Sequence, residues 1–164
     1  MSQPRLAIAT LAISASLLVG TVLHEGYRDT TYLDAVGVPT IGPGRTEGVK
    51  PGQRTTVERE LVLLLEDLSE RKQEIAKCVH VPLYQWELDA ALSLAYNIGI
   101  KAFCGSTMVK RWNSGDYAGG CAEIKRWVYA GGKKLRGLVT RREAEYRTCM
   151  GQDPAAATPA TADR

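Results

Sequence analysis

The chain has 164 residues, 45% of them hydrophobic and 7% aromatic, which is enough for one compact domain or two small lobes. A mean hydropathy of −0.17 leaves room for at most one membrane-spanning element. The net charge of +3 hides a local excess, because residues 101–149 carry eleven Lys or Arg against four Asp or Glu. Such a basic region attracts polyanions. Nucleic acid is not the expected partner, because aromatic residues that could stack on bases are few and no nucleic-acid-binding motif is recognisable.

The first predicted element is an uncharged run of 18 residues from Leu6 to Leu23, which follows Arg5. As a helix it would span about 27 Å, close to the hydrocarbon thickness of a bilayer. Half of the run is weakly apolar or polar, so it is suited to insertion but poorly suited to firm retention. Three interpretations remain open for residues 1–23: a cleaved signal peptide, a stable anchor, or a signal-anchor that can leave the membrane.

Residues 24–54 change character, because glycines and prolines punctuate short segments with strand propensity. The segment from Thr30 to Leu33 and the segment from Val36 to Val38 predict a small twisted hairpin with tight turns. Asp34 falls at the predicted turn, and Thr40 falls in the returning strand.

A long helix follows, and we expect it to begin at a capping box formed by Thr55 and Glu58. Its apolar stripe and charged opposite face predict about twenty residues, typical of a connector between two lobes. Further helices are predicted near residues 84–97, 105–113, 117–129 and 138–149, with turns at 113–116 and 130–132. The sequence therefore predicts an α+β catalytic domain over residues 24–150 and a disordered tail over residues 151–164.

The cysteine usage is typical of an exported protein. All four cysteines follow the apolar run, and no CxxC pair or Cys/His cluster predicts a metal site. In an oxidising periplasm we expect two disulfides with three possible connectivities. We predict the pairs Cys104–Cys121 and Cys78–Cys149 from the expected neighbourhood of the helices, and we expect neither a metal ion nor a cofactor.

One glutamate and two hairpin residues could together carry out glycoside hydrolysis. Glu25 lies where the apolar run ends, and apolar surroundings would raise its pKa and make it a proton donor. Asp34 lies nine positions later and Thr40 six further on, so the hairpin could bring both side chains to one water. The spacing alone is a weak signal, since such residues also occur at ordinary helix ends and turns.

The wider sequence resembles the phage lysozyme family (glycoside hydrolase family 24). That family's pattern is a Glu, eight residues, an Asp, five residues and a Thr, followed by a glycine-rich turn, and all three positions match here. The resemblance covers roughly residues 25–149. It is carried by these motifs: His24-Glu25-Gly26, Tyr32-Leu33-Asp34, Gly37 through Thr46, Ala95 through Gly99, Phe103 through Thr107, Asn113 through Tyr117, and Gly137 through Glu143.

This resemblance implies a lysozyme-like fold and hydrolysis of the β-1,4 bond between N-acetylmuramic acid and N-acetylglucosamine in peptidoglycan. It implies that Glu25 is the general acid and that Asp34 and Thr40 position the attacking water. Tyr32, Arg141 and Arg142 are candidate substrate-binding residues, and one of the two arginines is expected to pair with Glu25. Inversion at the sugar is expected if the carboxyl groups of Glu25 and Asp34 lie about 6.5–9.5 Å apart.

The N-terminal segment is similar to that of lambdoid endolysins whose signal-anchor is later released. This predicts a monomeric enzyme tethered to the host inner membrane, with a periplasmic catalytic domain, that becomes periplasmic after release and lyses the cell. Two other functions remain open on the same scaffold. A lytic transglycosylase needs a single Glu and forms an anhydro end, and a wall-binding protein needs no catalysis.

Overall fold

The computed structural model describes residues 4–25, 27–34, 37–42 and 44–152, with the side chains of 23–25 left out. The predicted tail thus lies almost entirely outside the described residues. The main elements, in chain order, are α1 (Ala15–Glu25), β1 (Arg28–Leu33), β2 (Pro39–Gly42), α2 (Val57–Cys78), α3 (Gln85–Ile98), α4 (Ile100–Cys104), α5 (Thr107–Asn113), α6 (Tyr117–Glu123), β3 (Tyr129–Ala130), β4 (Lys133–Lys134) and α7 (Arg136–Cys149). The predicted α+β class is confirmed.

The chain divides into two compact units. The hairpin unit is Ala15–Ser69, and the helical unit is Met1–Ser14 together with Glu70–Arg164. The boundary falls inside α2, the long helix that the sequence predicts as a connector. Ile41 and Leu68 are completely buried in the hairpin unit, whereas a larger set fills the core of the helical unit: Ile75, Leu83, Leu88, Leu92, Leu94, Phe103, Met108, Trp112 and Ile124.

The hairpin of β1 and β2 is antiparallel, with Tyr32 opposite Thr40 and Leu33 opposite Pro39. Thr40 lies in the returning strand, as predicted, but the strand propensity assigned to Gly37 and Val38 is wrong, because β2 begins only at Pro39, and Val36 lies outside the described residues. The reason is the turn: the N–H of Gly37 donates to the carbonyl of Asp34 at 3.0 Å, and Gly37 has a φ of +81°. Gly37 and Val38 therefore belong to the turn.

Helix α2 begins at Val57, one residue later than a cap at Thr55 predicts. The hydroxyl of Thr56, rather than that of Thr55, accepts a hydrogen bond from the N–H of Arg59 at 3.3 Å. The hydroxyl of Thr55 instead donates to the carboxylate of Glu60 at 2.6 Å. The prediction of Thr55 as the cap is wrong because a buried carboxylate competes for its side chain.

The later helices are confirmed with shifted boundaries. The segment predicted as one helix over 105–113 contains α5, which begins at Thr107, and the short helix α4 ends just before it, at Cys104. The segment over 117–129 is helical only to Glu123 and continues as a 3₁₀ turn at Ile124–Arg126. The glycines at 131 and 132 turn a two-residue hairpin, β3–β4, instead of simply joining two helices.

The N-terminal run does not form one continuous helix. Residues 4–14 are extended around a 3₁₀ turn at Ile8–Thr10, and α1 begins only at Ala15. Helices of the length and apolarity needed to cross a bilayer are not found among the described residues.

The two disulfides are Cys78–Cys104 and Cys121–Cys149, each with a Cα–Cα distance of 5.7 Å. The predicted pairing of Cys104 with Cys121 and of Cys78 with Cys149 is therefore wrong. Cys78 ends α2 and Cys104 ends α4, whereas Cys149 ends α7, which packs against α6 and its Cys121. Each bridge closes a loop of under thirty residues, for which a stabilisation of about 3–4 kcal/mol is typical.

Candidate active site

Helix α1 ends at Glu25, as the sequence predicts. Leu17 and Thr21, one turn apart, are 7% and 1% exposed, so the helix buries one of its faces. The Thr21 hydroxyl donates to the carbonyl of Leu17 at 2.8 Å, which satisfies this buried polar group within the helix. The side chains of His24 and Glu25 lie outside the described residues. The backbone of Glu25 thus belongs to the hairpin unit, three residues before β1 begins at Arg28.

The hairpin turn brings the side chains of Asp34 and Thr40 to the backbone of the same residue, Val38. The N–H of Val38 donates to Oδ1 of Asp34 at 2.8 Å, and Oγ1 of Thr40 donates to the carbonyl of Val38 at 2.9 Å. The backbone closes the same turn, because the N–H of Asp34 donates to the Val38 carbonyl at 3.0 Å. The two predicted residues are therefore joined through one residue, and both side chains are oriented by the turn itself.

Tyr32 lies directly opposite Thr40 in the antiparallel pair. Opposed residues in such a pair project from the same face, so Tyr32 shares the Thr40 face of the hairpin. Its ring also lies under the guanidinium of Arg28, 4.7 Å from the ring centroid. Tyr32 is half-buried and Thr40 is 3% exposed. The strand register thus places Tyr32, the candidate substrate-binding residue, opposite Thr40, the candidate catalytic residue.

An ion pair between Arg45 and Glu60 links the turn that follows β2 to helix α2. The carboxylate of Glu60, 3% exposed, accepts two hydrogen bonds from Arg45 at 2.9 and 3.3 Å and one from Thr55 at 2.6 Å. Arg45 is in turn paired with Ile41 through both backbone hydrogen bonds, at 2.9 and 3.0 Å. Gly42 has a φ of +63°, and a Cβ there would collide with the Glu60 carboxylate. The turn after Thr40 therefore requires glycine.

The ionisation of Glu60 gives a testable pH dependence. Burial alone would raise its pKa, but the hydrogen bonds from Arg45 and Thr55 outweigh burial and lower the pKa below the ordinary 4.5. A lowered folded-state pKa stabilises the protein fully above about pH 5, and this contribution is lost as the pH falls through the folded-state pKa. At pH 7, Glu60→Gln should lower the free energy of unfolding by about 2–3 kcal/mol, because it removes charged hydrogen bonds.

Urea denaturation followed by circular dichroism measures this effect. The difference between the wild type and Glu60→Gln should shrink as the pH is lowered from 7 to 3. The exposed Glu66→Gln, on the same helix, serves as the control and should change stability little at any pH. A difference that stays constant with pH contradicts the assigned ion pair.

In the helical unit, the candidate arginines belong to a buried cluster on α7. Arg141 and Arg142 are 7% and 1% exposed, and both contact the carboxylate of Glu145, at 3.2 and 3.1 Å. The hydroxyl of Ser93 donates to the same carboxylate at 2.7 Å, and Nη2 of Arg142 donates to Oδ1 of Asn97 at 2.6 Å. The guanidinium groups are therefore fixed in orientation by α3, and Glu145 neutralises part of their charge.

The three tryptophans have different surroundings. Trp112 is fully buried, and its indole N–H donates to the carbonyl of Tyr117 at 3.1 Å, so it belongs to the core. Trp86 stacks on Tyr84 with ring centroids 4.4 Å apart. Trp127 lines a cavity of about 350 Å³ together with Ala102, Gly105, Ser106, Thr107, Met108, Glu123 and Arg126. Trp86 lines a smaller cavity of about 160 Å³, so two of the three tryptophans lie at recesses and only Trp112 lies in the core.

The family assignment follows from comparison with known proteins. A model of the phage lysozyme family matches residues 22–145, which is most of the chain. The chain belongs to the phage lysozyme family. The match includes Glu25, Asp34, Thr40 and both candidate arginines, so the family resemblance seen in the sequence is confirmed.

Individual phage lysozymes and endolysins are similar to this chain over most of its length. The SAR-endolysin of bacteriophage PS119 is 36% identical over 144 residues, covering 85% of this chain and 86% of the relative. The SAR-endolysin of Enterobacteria phage P21 is 35% identical, with coverages of 85% and 87%. A crystal structure of a mutant P22 lysozyme matches with a TM-score of 0.78 at 36% identity, covering 86% of this chain and 99% of that one. The lysozyme-like α+β fold is therefore confirmed.

Sequence reasoning did not identify every residue that shapes the site of this phage lysozyme. Arg45 was visible only as part of the glycine-rich motif, and Glu60 as an ordinary charged residue of the long helix. Glu145 was likewise only one of the charged residues within the basic region 101–149. Glu60 lies one turn into the helix that follows the glycine-rich motif, and this position could have suggested that its side chain is buried. No sequence signal pairs it with Arg45.

Proposed function

We propose that this phage lysozyme is a muramidase that hydrolyses the β-1,4 bond between N-acetylmuramic acid and N-acetylglucosamine in peptidoglycan and so lyses the host. The observation that carries the proposal is the hairpin turn on which Asp34 and Thr40 are both bonded to Val38. It occurs in the same unit in which α1 ends at Glu25. The names of the relatives, SAR-endolysin and P22 lysozyme, support the same activity.

In the proposed reaction Glu25 is the acid, and Asp34 and Thr40 bind the attacking water. Glu25 protonates the glycosidic oxygen as the bond to the sugar breaks, which avoids release of a poor alkoxide leaving group. Thr40 donates its own proton to the Val38 carbonyl, so its oxygen can accept a hydrogen bond from the attacking water. Asp34, oriented by the Val38 N–H, takes the proton that this water loses. Water then completes the hemiacetal at the muramic acid.

Three further residues are proposed to act on the substrate or on the acid. Tyr32 shares the face of Thr40 and can lie along a sugar ring. Arg141 or Arg142 is the proposed charge partner of Glu25, because a nearby guanidinium favours the charged form of a carboxyl group. The basic excess of residues 101–149 suits the carboxylate-rich wall, and the proposed enzyme acts as a monomer with no nucleic acid partner and no cofactor.

The nature of the new chain end tests the proposal against its nearest rival. Digestion of purified peptidoglycan should give fragments that end in a reducing N-acetylmuramic acid, because water is consumed. A lytic transglycosylase gives 1,6-anhydro ends instead, and mass spectrometry separates the two products by one water. Anhydro ends would overturn the assignment of Asp34 and Thr40, whereas binding without any product would indicate a non-catalytic wall-binding protein.

We also propose that residues 1–23 first tether the enzyme to the host inner membrane and later leave it. Support comes from the diluted apolar run and from relatives named SAR-endolysin. Glu25 is separated from the run by His24 alone, so an inserted run holds the catalytic acid at the bilayer surface and the enzyme inactive. Departure of the run from the membrane then yields the active periplasmic form. Cleavage near Gly20 is disfavoured, because it would discard most of the helix that ends at Glu25.

A further inference from the structure

The basic charge of the helical unit is concentrated in a stretch without acidic residues. Residues 124–142 contain seven Lys or Arg and no Asp or Glu. Four of the seven have carboxylate partners in the structure: Lys125, Arg126, Arg141 and Arg142. The other three, Lys133, Lys134 and Arg136, are exposed and make no ion pair with any residue that the structure describes. Their charge is therefore available to a partner outside the chain.

These three cations lie on or next to an exposed two-stranded ribbon. Strands β3 and β4 pair Tyr129 with Lys134 and Ala130 with Lys133 around a two-residue turn. The N–H of Leu135 donates to the carbonyl of the buried Val128 at 3.0 Å, which continues the pairing to the start of α7. Every residue from 129 to 137 is exposed. We call residues 129–139 the cationic ribbon, and its shape is fixed by backbone pairing.

The cationic ribbon also exposes three large apolar or aromatic side chains. Tyr129 is 64% exposed, Leu135 42% and Val139 38%. The N–H of Val139 donates to the Leu135 carbonyl at 3.1 Å, and residues four apart at the start of a helix share one face. Tyr129 lies opposite Lys134 in the antiparallel pair, so its ring and the ammonium project from the same face of the ribbon. Apolar and cationic groups are thus interleaved along the cationic ribbon.

This arrangement costs stability in the protein alone. The like charges repel one another, and Arg136 adds a positive charge to the first turn of α7, where the helix dipole favours acidic residues and none is present. The exposed apolar side chains contribute no burial in water. A local sequence that opposes the stability of the fold indicates a functional surface, whose partner compensates for the cost.

The chemistry of the cationic ribbon fits the surface of an anionic bilayer better than it fits the wall. Both partners offer negative charge to the cations, but a hydrated wall polymer offers no apolar phase to Leu135 and Val139. At a bilayer, such side chains reach the acyl boundary while lysine ammonium groups stay among the phosphates. A tyrosine ring, with its apolar body and polar tip, is suited to the same interface. The interleaving of the two kinds of side chain therefore favours lipid.

We propose that the cationic ribbon is a peripheral binding site for the surface of a bilayer that contains anionic phospholipid. It is separate from the apolar run, and the inference depends neither on the muramidase activity nor on release of the run. The three cations bind the lipid phosphates, and Tyr129, Leu135 and Val139 enter the headgroup boundary. Each basic residue near such a surface contributes a factor of about five to the binding constant. The binding is reversible and is lost at high salt, so a salt wash separates it from insertion of the run.

Flotation of the full-length protein with vesicles tests this proposal. The vesicles contain phosphatidylethanolamine with phosphatidylglycerol, or with phosphatidylcholine as the reference without net charge. The quantity measured is the salt-reversible bound fraction, which is the difference in binding between about 50 mM and about 500 mM NaCl, because salt screens surface charges but does not extract an inserted helix. We expect salt-reversible binding to the anionic vesicles only. The double variant Lys133→Gln and Lys134→Gln should need about tenfold more lipid, or higher, for the same bound fraction.

The matched control is the double variant Lys101→Gln and Lys110→Gln. It removes two exposed lysines from the same unit and changes the net charge by the same amount, so it should bind nearly as the wild type does. Equal weakening by the two double variants overturns the proposal, because net charge alone would then explain the binding. A wild type without salt-reversible binding to anionic vesicles overturns it as well.

The apolar part of the site is tested by Tyr129→Ser combined with Leu135→Ser. This variant keeps all the charges and should bind anionic vesicles several-fold more weakly, because it loses apolar contact with the lipid. Val62→Ser combined with Leu65→Ser is its control, since these residues of α2 are similarly exposed, at 56% and 41%, and it should bind as the wild type does. Unchanged binding of the variant at 129 and 135 excludes insertion into the headgroup boundary and overturns the choice of a bilayer.

Sedimentation with purified peptidoglycan distinguishes the bilayer from the wall as the partner. Lys133→Gln with Lys134→Gln should sediment with the wall as the wild type does. A variant that loses the wall but keeps its binding to vesicles would make the wall the partner and overturn the proposal. Wall clearing by the wild type tests the muramidase separately, because vesicle binding requires no cleavage and either result can fail without the other.

Discussion

Glu25→Gln is expected to reduce wall clearing by about 1,000-fold or more while leaving the protein folded. A glutamine has nearly the same shape as glutamic acid but cannot donate an acidic proton to the glycosidic oxygen. General acid catalysis contributes about 10²–10⁴-fold to such reactions, and glycoside cleavage depends heavily on it. The fall in turbidity of a suspension of permeabilised cells measures the rate directly, and circular dichroism establishes that the variant retains its fold.

The control for this substitution is Glu66→Gln, an exposed position on α2. It makes the same chemical change away from the turn that holds Asp34 and Thr40, and it should keep the wild-type rate. Asp34→Asn should also be strongly impaired, because an amide cannot take the proton of the attacking water. Glu25→Gln with more than a tenth of the wild-type rate would exclude Glu25 as the general acid.

Sequence predicted the local part of the candidate site well. Asp34 and Thr40 lie six residues apart on either side of a tight turn, so chain geometry alone brings them together. The contacts to Val38 show how the turn does this. Glu25 was likewise placed correctly at a helix end. These features depend on short stretches of chain, in which residue spacing and turn chemistry determine the geometry.

The disulfide pairing could not be predicted in the same way. It depends on which helix ends meet after the helical unit has folded, and four cysteines allow three pairings. Cys104 and Cys121 are close in sequence, but α5 and its turn lie between them, and Cys121 faces the last helix instead. The Arg45–Glu60 pair escaped prediction for the same reason, since its partners belong to a turn and to a helix fifteen residues away.

The N-terminal run shows a different limit of sequence reasoning. Its apolarity predicts one helix, yet residues 4–14 are extended because Leu83 and Gln85 offer backbone and side-chain partners that a helix would forgo. Its β-branched residues and polar residues have weak helix propensity, so tertiary contacts outweigh the helical preference. The same composition that suggests an anchor that can leave the membrane also allows the run to refold in water.

Strengthening the apolar run should therefore trap the enzyme in the membrane. We expect the double variant Ala12→Leu and Gly20→Leu to fractionate with the membrane even after an uncoupler has collapsed the potential, whereas the wild type should move to the soluble fraction. Each leucine adds roughly 1.5–3 kcal/mol of apolar burial in the bilayer, so release should fall by more than about tenfold. In the folded enzyme a Cβ at Gly20 meets no atom within 4 Å, and Ala12 is exposed, so we expect the released fold to tolerate both changes.

Ala122→Leu is the matched control for this prediction, because it adds an exposed leucine on α6, outside the run. It should be released like the wild type, and lysis should follow with the same delay after the uncoupler. Immunoblots of membrane and soluble fractions measure release and the length of the chain, and the turbidity of the culture measures the delay of lysis. A wild type that remains in the membrane after depolarisation, or that is shortened by about 2 kDa as cleavage of a signal peptide of some 20 residues requires, contradicts release of an intact anchor. Retention of wild type and double variant alike would mean that the diluted composition of the run has no role in its departure from the bilayer.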